Sequence, residues 1–215
     1  MTKLILASNS PRRKELLALF GWPFEVIPAD IDESRKADEP AVDYVRRLAG
    51  EKAQAVAENH EGLILAADTI VVDGEELLGK PVDDADAQRM LIQLRGRTHQ
   101  VYTGVALLNT ATGESGNTIC RTDVPMRDYS DAEIDAYIQT GDPLDKAGAY
   151  AIQHSAFHPV ENLQGCYASV MGLPLCHLVM GLRWFGWQAP DDLPERCQAT
   201  LEYQCPVFKE ILGLT

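Results

Sequence analysis

Apolar and polar residues follow two different periods along this chain, and strand-like segments alternate with helix-like segments from the first residues onward. Residues 3–7 predict a short buried strand, and residues 63–72 form the longest apolar strand pattern, which Asp73-Gly74 ends with a hairpin signal. Between these strands, apolar residues recur at helical spacing over 41–59. No long linker, low-complexity tract or internal repeat separates the segments. The alternation predicts an α/β fold.

Cap and turn residues predict the remaining elements. Ser10 is a good N-cap and Pro11 suits the first helical position, so a helix is expected over about 11–20. Asp83 and the capping box of Ser130 with Glu133 begin two further helices. The first of these two helices is expected to end before Gly96 and the second at Gly141. A β-hairpin is predicted from 100–109 with 117–126, and a short strand is predicted after a glycine bend in 145–153. A last amphipathic helix is predicted over 175–184, followed by a weak helix over 207–212.

Two arginines, Arg12 and Arg13, occupy the first turn of the N-terminal helix. Free amides and the positive end of the helix dipole attract anions there, so cationic side chains oppose the usual preference for acidic ones. They fit this position if the ligand is an anion such as phosphate. A capped surface helix with two solvated arginines is the alternative that this segment alone leaves open.

Lys52 and Asp68 are charged residues in apolar surroundings. Lys52 lies on the apolar face of the second predicted helix, seven residues after Val45, so its ammonium group either reaches water at the edge or points into a polar site. Asp68 interrupts the long apolar strand, where a carboxylate is disfavoured unless it faces solvent on an edge strand, binds a cation or has a catalytic task. Lys80, between a glycine and a proline, is expected beside the strand end that carries Asp68.

The composition is that of an ordinary globular chain, with 215 residues of which 46% are hydrophobic and 24% are charged. The formal net charge of -13 argues against general affinity for nucleic acid polymers or anionic membranes, so a small anion needs a local basic pocket. No apolar run approaches the ~18–20 residues of a membrane span, and the N-terminus lacks a signal-peptide pattern, so we expect a cytoplasmic location. The five cysteines, odd in number and without C-x-x-C spacing, are expected to be reduced and buried.

Several familiar chemical motifs do not occur in the sequence, which has no G-x-x-x-x-G-K-[ST], G-x-G-x-x-G, H-E-x-x-H or G-x-S-x-G pattern. His154 and His158 have ligand spacing, but the adjacent Pro159 argues against a helical zinc site. The remaining cations and carboxylates together predict a site for phosphate and a divalent metal ion. They are Arg12, Arg13, Lys52 and Lys80 with Glu33 and Asp68.

Six segments match one known family in order and spacing. They are LASNSPRRKELL at 6–17, EKA at 51–53, ADT at 67–69, GKP at 79–81, AGAY at 147–150 with Gln153, and GLPL at 172–175. Over about residues 3–185 the chain resembles the Maf family of nucleoside triphosphate pyrophosphatases. The resemblance implies a mixed β-sheet in two lobes with flanking helices and a cleft between them, similar to the inosine triphosphatase (Maf/Ham1) architecture and usually a homodimer. It also implies a bilobed domain over 1–185 and a tail extension over 186–215.

The resemblance implies a reaction in which a divalent cation, Mg²⁺ or Mn²⁺, assists the conversion of a nucleoside triphosphate into a monophosphate and pyrophosphate. The expected catalytic residues are Asp68, the proton acceptor for the attacking water, with Lys52 and Lys80. The expected substrate-binding residues are Ser8, Arg12, Arg13, Thr69 and Gln153. The expected metal ligands are Glu33 and Asp68. Arg12, Thr69 and Gln153 resemble the branch that acts on dTTP and UTP, rather than the branch that acts on 7-methyl-GTP.

Two other functions stay open at this point. The first is a nucleotide-binding regulator without turnover, linked to cell division or septum formation. The second is a phosphatase of a different class that releases orthophosphate. The chain departs from the family pattern at 161–165, where an aliphatic strand is more common, and after residue 186.

Overall fold

A computed structural model describes residues 2–214. The strands are β1 (Leu4–Leu6), β2 (Glu25–Val26), β3 (Leu63–Asp73), β4 (Glu76–Leu78), β5 (Thr98–Asn109) and β6 (Ser115–Pro125). The α-helices are α1 (Pro11–Ala18), α2 (Ala41–Ala57), α3 (Asp84–Leu94), α4 (Asp131–Ile138), α5 (Tyr167–Met171), α6 (Leu175–Trp184), α7 (Leu193–Thr200) and α8 (Phe208–Leu212). Two short 3-10 helices cover Asp142–Asp145 and Ala147–Ala149.

All six strands form one mixed sheet in the order β2-β1-β3-β5-β6, with β4 paired to β3. β1 runs parallel to β2 and β3, whereas β5 runs antiparallel to β3 and β6. The α/β class with a mixed sheet and flanking helices is confirmed. Because side chains alternate between the faces of a strand, Ala66 of β3 packs with α2 and Ala67 packs in the main core on the opposite face. The same alternation places Asp68 on the α2 side and Thr69 on the other.

α2 crosses the sheet at close range. A Cβ atom on Gly104 of β5 would lie 2.7 Å from the carbonyl oxygen of Val45, so only glycine lets the helix backbone approach this closely. Gly104 is also the residue paired with Asp68 across β3 and β5. Lys52 lies two turns after Val45 on the same buried face of α2. The close crossing therefore brings the lysine to the strand that carries Asp68.

The cap signals in the sequence are confirmed. The Ser10 side chain accepts the backbone N–H of Arg13, and the Asp83 side chain accepts that of Asp86. The capping box between Ser130 and Glu133 is complete. The hairpin of β5 with β6, and helices α6 and α8, also form where the pattern predicts them.

One expectation about secondary structure is wrong. The short strand predicted within 145–153 is replaced by a 3-10 helix and turns, because Gly148 and Ala149 take positive φ angles of 70° and 61° that interrupt an extended path. Helices α7 and α8 follow α6, and of these α8 lies where the pattern predicts a weak helix. The pattern also misses α5 and α7, whose five and eight residues are too short for a clear helical period.

The cysteines are partly as expected. All five have free thiols, as predicted. Cys120 and Cys166 are buried, but the expectation that all five are buried is wrong for Cys176, Cys197 and Cys205, which are half-buried. These three line a shallow groove between the tail helices and the rest of the fold.

The last 29 described residues, 186–214, pack against the body of the protein. The rings of Trp187 and Trp22 lie 5.2 Å apart in an edge-on contact. The Arg196 guanidinium donates to the carbonyl oxygen of Leu19 at 3.2 Å, next to the end of α1. The Tyr203 hydroxyl donates to a carbonyl oxygen of the loop before α5, that of Gly165 at 2.9 Å. A boundary between a domain and a tail at residue 185 stays a prediction. Within residues 2–214, no helix combines the length and apolar character needed to cross a membrane.

Candidate active site

A cleft of about 570 Å³ opens at one end of the sheet. The loop from β1 into α1 forms one wall, and the segment after β2 with α2 and β3 forms the next. Residues 145–153 and 170–172 close the remaining sides. Every expected site residue lines this cleft, namely Ser8, Arg12, Arg13, Glu33, Lys52, Asp68, Thr69, Lys80 and Gln153. The structure thus brings together residues from both halves of the sequence.

Lys52 holds two carboxylates at the centre of the cleft. Its Nζ atom lies 2.6 Å from Oδ1 of Asp68 and 2.8 Å from Oε1 of Glu33. The side chains of Lys52 and Asp68 are only 10% and 9% exposed, whereas that of Glu33 is 49% exposed. Both solvent-facing alternatives from the sequence, a snorkelling Lys52 and an edge-strand Asp68, are therefore excluded.

The two carboxylates differ in their affinity for protons. Burial raises the pKa of Asp68 above its usual value, although the charges of Lys52 and Arg13 oppose the shift. Burial also acts on Glu33, but the hydrogen bond and the charge of Lys52 outweigh it and the pKa of Glu33 is lowered. Asp68 is thus the carboxylate with the stronger tendency to take a proton.

Arg13 is fixed in place by three neighbours. Its Nε donates to the carbonyl oxygen of Gly172 at 2.9 Å, Nη2 donates to the Thr69 hydroxyl at 3.2 Å, and Nη1 donates to the Ser8 hydroxyl at 3.3 Å. Thr69 is held in turn by the Thr103 hydroxyl at 3.0 Å. Burial lowers the pKa of Arg13, but a guanidinium remains charged in proteins. Thr69 therefore holds an arginine in the cleft.

Arg12 lies close to an acidic turn. Its Nη1 is 3.9 Å from Oδ2 of Asp145, whose other oxygen accepts from Lys146 at 2.5 Å. Lys146 Nζ also donates to the carbonyl oxygen and to Oδ1 of Asp142, at 2.6 and 2.9 Å. All three protons of this buried ammonium are used within the turn. Lys146 therefore stabilises the turn, while Arg12 stays available at the cleft wall.

Buried hydrogen bonds hold the segment that carries Gln153. The hydroxyl of Tyr150 and Nε2 of His99 are 2.9 Å apart, and the backbone N–H of Ala151 donates to the Tyr137 hydroxyl at 2.9 Å. Burial lowers the pKa of His99 to about 4, so its ring is neutral at physiological pH. Gln153 itself is exposed at the rim of the cleft.

A comparison with known protein families matches residues 3–185 to the family described as Maf-like protein. The chain belongs to the Maf family. Three curated Maf relatives, each named dTTP/UTP pyrophosphatase, come from Bacillus cytotoxicus, Hahella chejuensis and Citrifermentans bemidjiense. They are 48%, 48% and 49% identical to this chain over 86% of its length, and the matches cover 96%, 92% and 96% of the relatives.

Among solved structures, the chain is similar to the Ham1 protein of Staphylococcus aureus, with 16% identity and a TM-score of 0.44. That match covers 59% of this chain and 72% of the Ham1 chain. A Ham1 protein from Coxiella burnetii gives 19% identity and a TM-score of 0.43 over 60% and 75% of the two chains.

A metal ion in this Maf cleft would have few protein ligands. Within residues 2–214, no group of three or more histidine, cysteine, aspartate or glutamate side chains is arranged to hold one. Glu33 and Asp68 instead converge on the same ammonium group of Lys52. Mg²⁺ is usually bound through one or two carboxylates together with substrate phosphates and water. Two carboxylates therefore fit such an ion when a nucleotide supplies the other oxygens.

Sequence reasoning missed Tyr44, which also lines the cleft. Its hydroxyl donates to the backbone carbonyl of Glu33 at 2.9 Å. Burial, followed by the charges of Asp68 and Glu33, raises the pKa of Tyr44 to about 12. The available signal was its position on the same helix as Lys52, but a tyrosine at the edge of an apolar helix face is ordinary core composition.

Proposed function

We propose that this chain hydrolyses dTTP and UTP to the nucleoside monophosphate and pyrophosphate. The observation that carries the proposal is a buried carboxylate, Asp68, in the same cleft as the arginines at the start of α1. The names of Maf relatives 48% identical to this chain support the substrate class. A protein that only binds nucleotides has no need of a desolvated carboxylate beside phosphate.

The cations hold the triphosphate and neutralise its charge. Arg13, already oriented by Ser8 and Thr69, binds phosphate oxygens without further ordering of its side chain. Arg12, from the same helix start, and Lys80 also line the cleft, and the dipole of α1 adds to the positive potential. Preorganised positive charge of this kind supplies most of the acceleration in phosphoryl transfer.

Asp68 is the general base of the proposed reaction. A water oxygen forms a bond to the α-phosphorus, the bond from that phosphorus to the bridging oxygen breaks, and pyrophosphate leaves with the electron pair. Asp68 takes the proton of the water. Lys52, 2.6 Å away, opposes the effect of burial and favours the ionised carboxylate, which is the form that accepts a proton.

Glu33 and Asp68 are the residues that would hold a divalent cation together with oxygens of the triphosphate. When bound, Mg²⁺ or Mn²⁺ supplies further neutralisation of phosphate charge.

Gln153 is the proposed reader of the base. Its neutral amide carries both donors and an acceptor, which match the imide edge of uracil or thymine. Its exposed place at the cleft rim leaves these groups accessible to a ligand. Thr69 acts indirectly in this scheme, because Arg13 and Thr103 already engage its hydroxyl.

The proposal is tested by identifying the phosphate product. The purified chain is incubated with dTTP, UTP, CTP, GTP and 7-methyl-GTP in the presence of Mg²⁺ or Mn²⁺, and pyrophosphate and orthophosphate are measured separately. Pyrophosphate release that is fastest with dTTP and UTP is expected. Orthophosphate as the only product would instead indicate a phosphatase, and nucleotide binding without either product would indicate the regulator.

The proposal also includes a homodimer, a cytoplasmic location and the absence of nucleic acid or membrane partners. Light scattering of the purified protein tests the dimer. The net charge of -13 supports the exclusion of polymeric phosphate as a ligand.

A further inference from the structure

Glu33 reaches the cleft from a segment without regular structure. Residues 27–40, between β2 and α2, form neither helix nor strand. A loop of this kind has many accessible conformations, and a side chain on it keeps one position only if other contacts fix the backbone. Lys52 contacts the side chain of Glu33 and not its backbone, so the backbone of the segment needs a separate anchor.

The anchor is an ion pair between Glu39 and Arg47. Nε of Arg47 lies 2.6 Å from Oε1 of Glu39, and Nη2 lies 2.7 Å from Oε2, which is the bidentate geometry of a guanidinium on a carboxylate. The two side chains are 9% and 15% exposed. The hydrogen bond from Arg47 lowers the pKa of Glu39 to about 2, so the carboxylate stays ionised at neutral pH.

The same guanidinium binds the residue that follows Glu33. Nη2 of Arg47 donates to the carbonyl oxygen of Ser34 at 3.0 Å, and Nη1 donates to Glu51 at 3.0 Å within α2. One side chain thus ties the rigid helix to both ends of the stretch 34–39. Glu39 also accepts the backbone N–H of Lys36 at 3.1 Å, which closes this stretch into a compact turn.

The side chains of α2 that make these contacts lie on one face of the helix. Tyr44, Arg47 and Glu51 lie at i, i+3 and i+7 of α2, which places them on one face beside Lys52. Tyr44 donates a hydrogen bond to the backbone carbonyl of Glu33, and Arg47 donates one to that of Ser34. A buried ion pair adds little to stability compared with apolar packing, so this arrangement is better explained by the geometry that it imposes.

We propose that Arg47, paired with Glu39, is a positioning residue that places Glu33 in the cleft and thereby sets the rate of pyrophosphate release. The inference rests on the proposed function, which assigns Glu33 to the reacting end of the triphosphate. Arg47 itself does not line the cleft. It acts through the backbone of the loop.

The test replaces Arg47 by lysine and uses the preceding arginine as a matched control. Arg47→Lys keeps the charge but cannot reproduce the bidentate pair and the bond to Ser34 together. Arg46→Lys alters an exposed arginine of the same helix, whose guanidinium pairs with Asp43 at 2.6 Å. For UTP we expect kcat of Arg47→Lys to fall about tenfold or more with KM changed less than about threefold, because Arg12, Arg13 and Lys80 still hold the triphosphate. Arg46→Lys stays within about twofold in both constants.

A double-mutant cycle separates positioning from general loss of structure. In a Glu33→Gln background, Arg47→Lys is expected to lower kcat by less than about twofold, since the group that it positions is already disabled. Glu39→Gln is the second variant and should reproduce the kcat loss. An equal loss from Arg47→Lys in both backgrounds, or a folded Arg47→Lys enzyme with wild-type kcat, would overturn the inference.

Hydrogen exchange by mass spectrometry gives a readout without turnover. Amides of residues 28–38 should exchange faster in Arg47→Lys than in wild type or Arg46→Lys. Unchanged exchange also contradicts the inference. Wild-type protein that releases no pyrophosphate defeats the proposed function instead, and the exchange data then still decide whether Arg47 anchors the loop.

Discussion

Lys52→Met tests the electrostatic centre of the cleft. The substitution keeps most of the side-chain volume but removes the ammonium group 2.6 Å from Asp68 and 2.8 Å from Glu33. Asp68 is then a buried carboxylate without its nearest cation. Removing one partner of a buried ion pair costs about 3–5 kcal/mol, and for a chain of this size that corresponds to a fall in Tm of roughly 6–20 °C.

The pH dependence of this loss follows from the raised pKa of Asp68. Burial raises the pKa in the folded state, Lys52 opposes the shift, and its removal raises the pKa further. A group with a raised folded-state pKa contributes stability below its unfolded pKa and loses that contribution as pH rises through the folded value. Lys52→Met should therefore be least stable, relative to wild type, at neutral and alkaline pH.

The assay compares Tm for wild type, Lys52→Met and the double variant Lys52→Met with Asp68→Asn between pH 5 and pH 8. The double variant carries no unpaired charge at residue 68, so it should recover more of the lost stability at pH 8 than at pH 5. Both variants should lose pyrophosphate release. Equal stability of the two variants at pH 8 would refute the reasoning, as would a wild-type Tm for Lys52→Met.

Two further substitutions test the walls of the cleft. Gly172→Ala places a Cβ atom 3.1 Å from Nε of Arg13 and 3.3 Å from the Thr69 hydroxyl, at a φ of 107° that alanine disfavours. Because the new methyl group displaces Arg13, KM for UTP should rise about tenfold. An unchanged KM would show that this arginine does not bind substrate. Gln153→Glu should lower kcat/KM for UTP about tenfold or more while hydrolysis of inorganic triphosphate changes little, because a carboxylate lacks the donors that an imide edge needs. Equal losses on both substrates contradict a role in base recognition.

The local elements were predictable because their signals are local. Ser10, Asp83 and Ser130 each cap the helix that the sequence assigns to them. Asp68 was detectable as a charge inside an apolar strand, and Lys52 as a charge on an apolar helix face, since desolvation makes both positions unfavourable without a partner.

The pairing of these charges was not predictable from the sequence. The sequence groups Lys52 with the phosphate-binding cations, whereas in the structure its ammonium group pairs with Asp68 and Glu33. The contact depends on how closely α2 crosses β5, and that distance is set by Gly104, a residue that no motif singles out. The Glu39–Arg47 pair also lacks a local signal, because its members lie eight positions apart on either side of the start of α2.

The wrong strand in 145–153 has a similar cause. Small and apolar residues around Gly148 fit a strand by composition, but the conformation there depends on the buried ammonium of Lys146 and its acceptors in the preceding turn. Tertiary contacts override a weak local preference in such segments.

The most direct measurement is pyrophosphate release from UTP by Asp68→Asn, with Asp73→Asn at the end of the same strand as the control. Asp73 pairs with Arg97 outside the cleft, at 3.2 Å, so its replacement removes a carboxylate of β3 without touching the site. With Asp68 as the general base, Asp68→Asn should remain folded and lose at least about 10²-fold in kcat, while Asp73→Asn stays within about threefold of wild type. An Asp68→Asn protein that releases pyrophosphate at the wild-type rate would contradict the account.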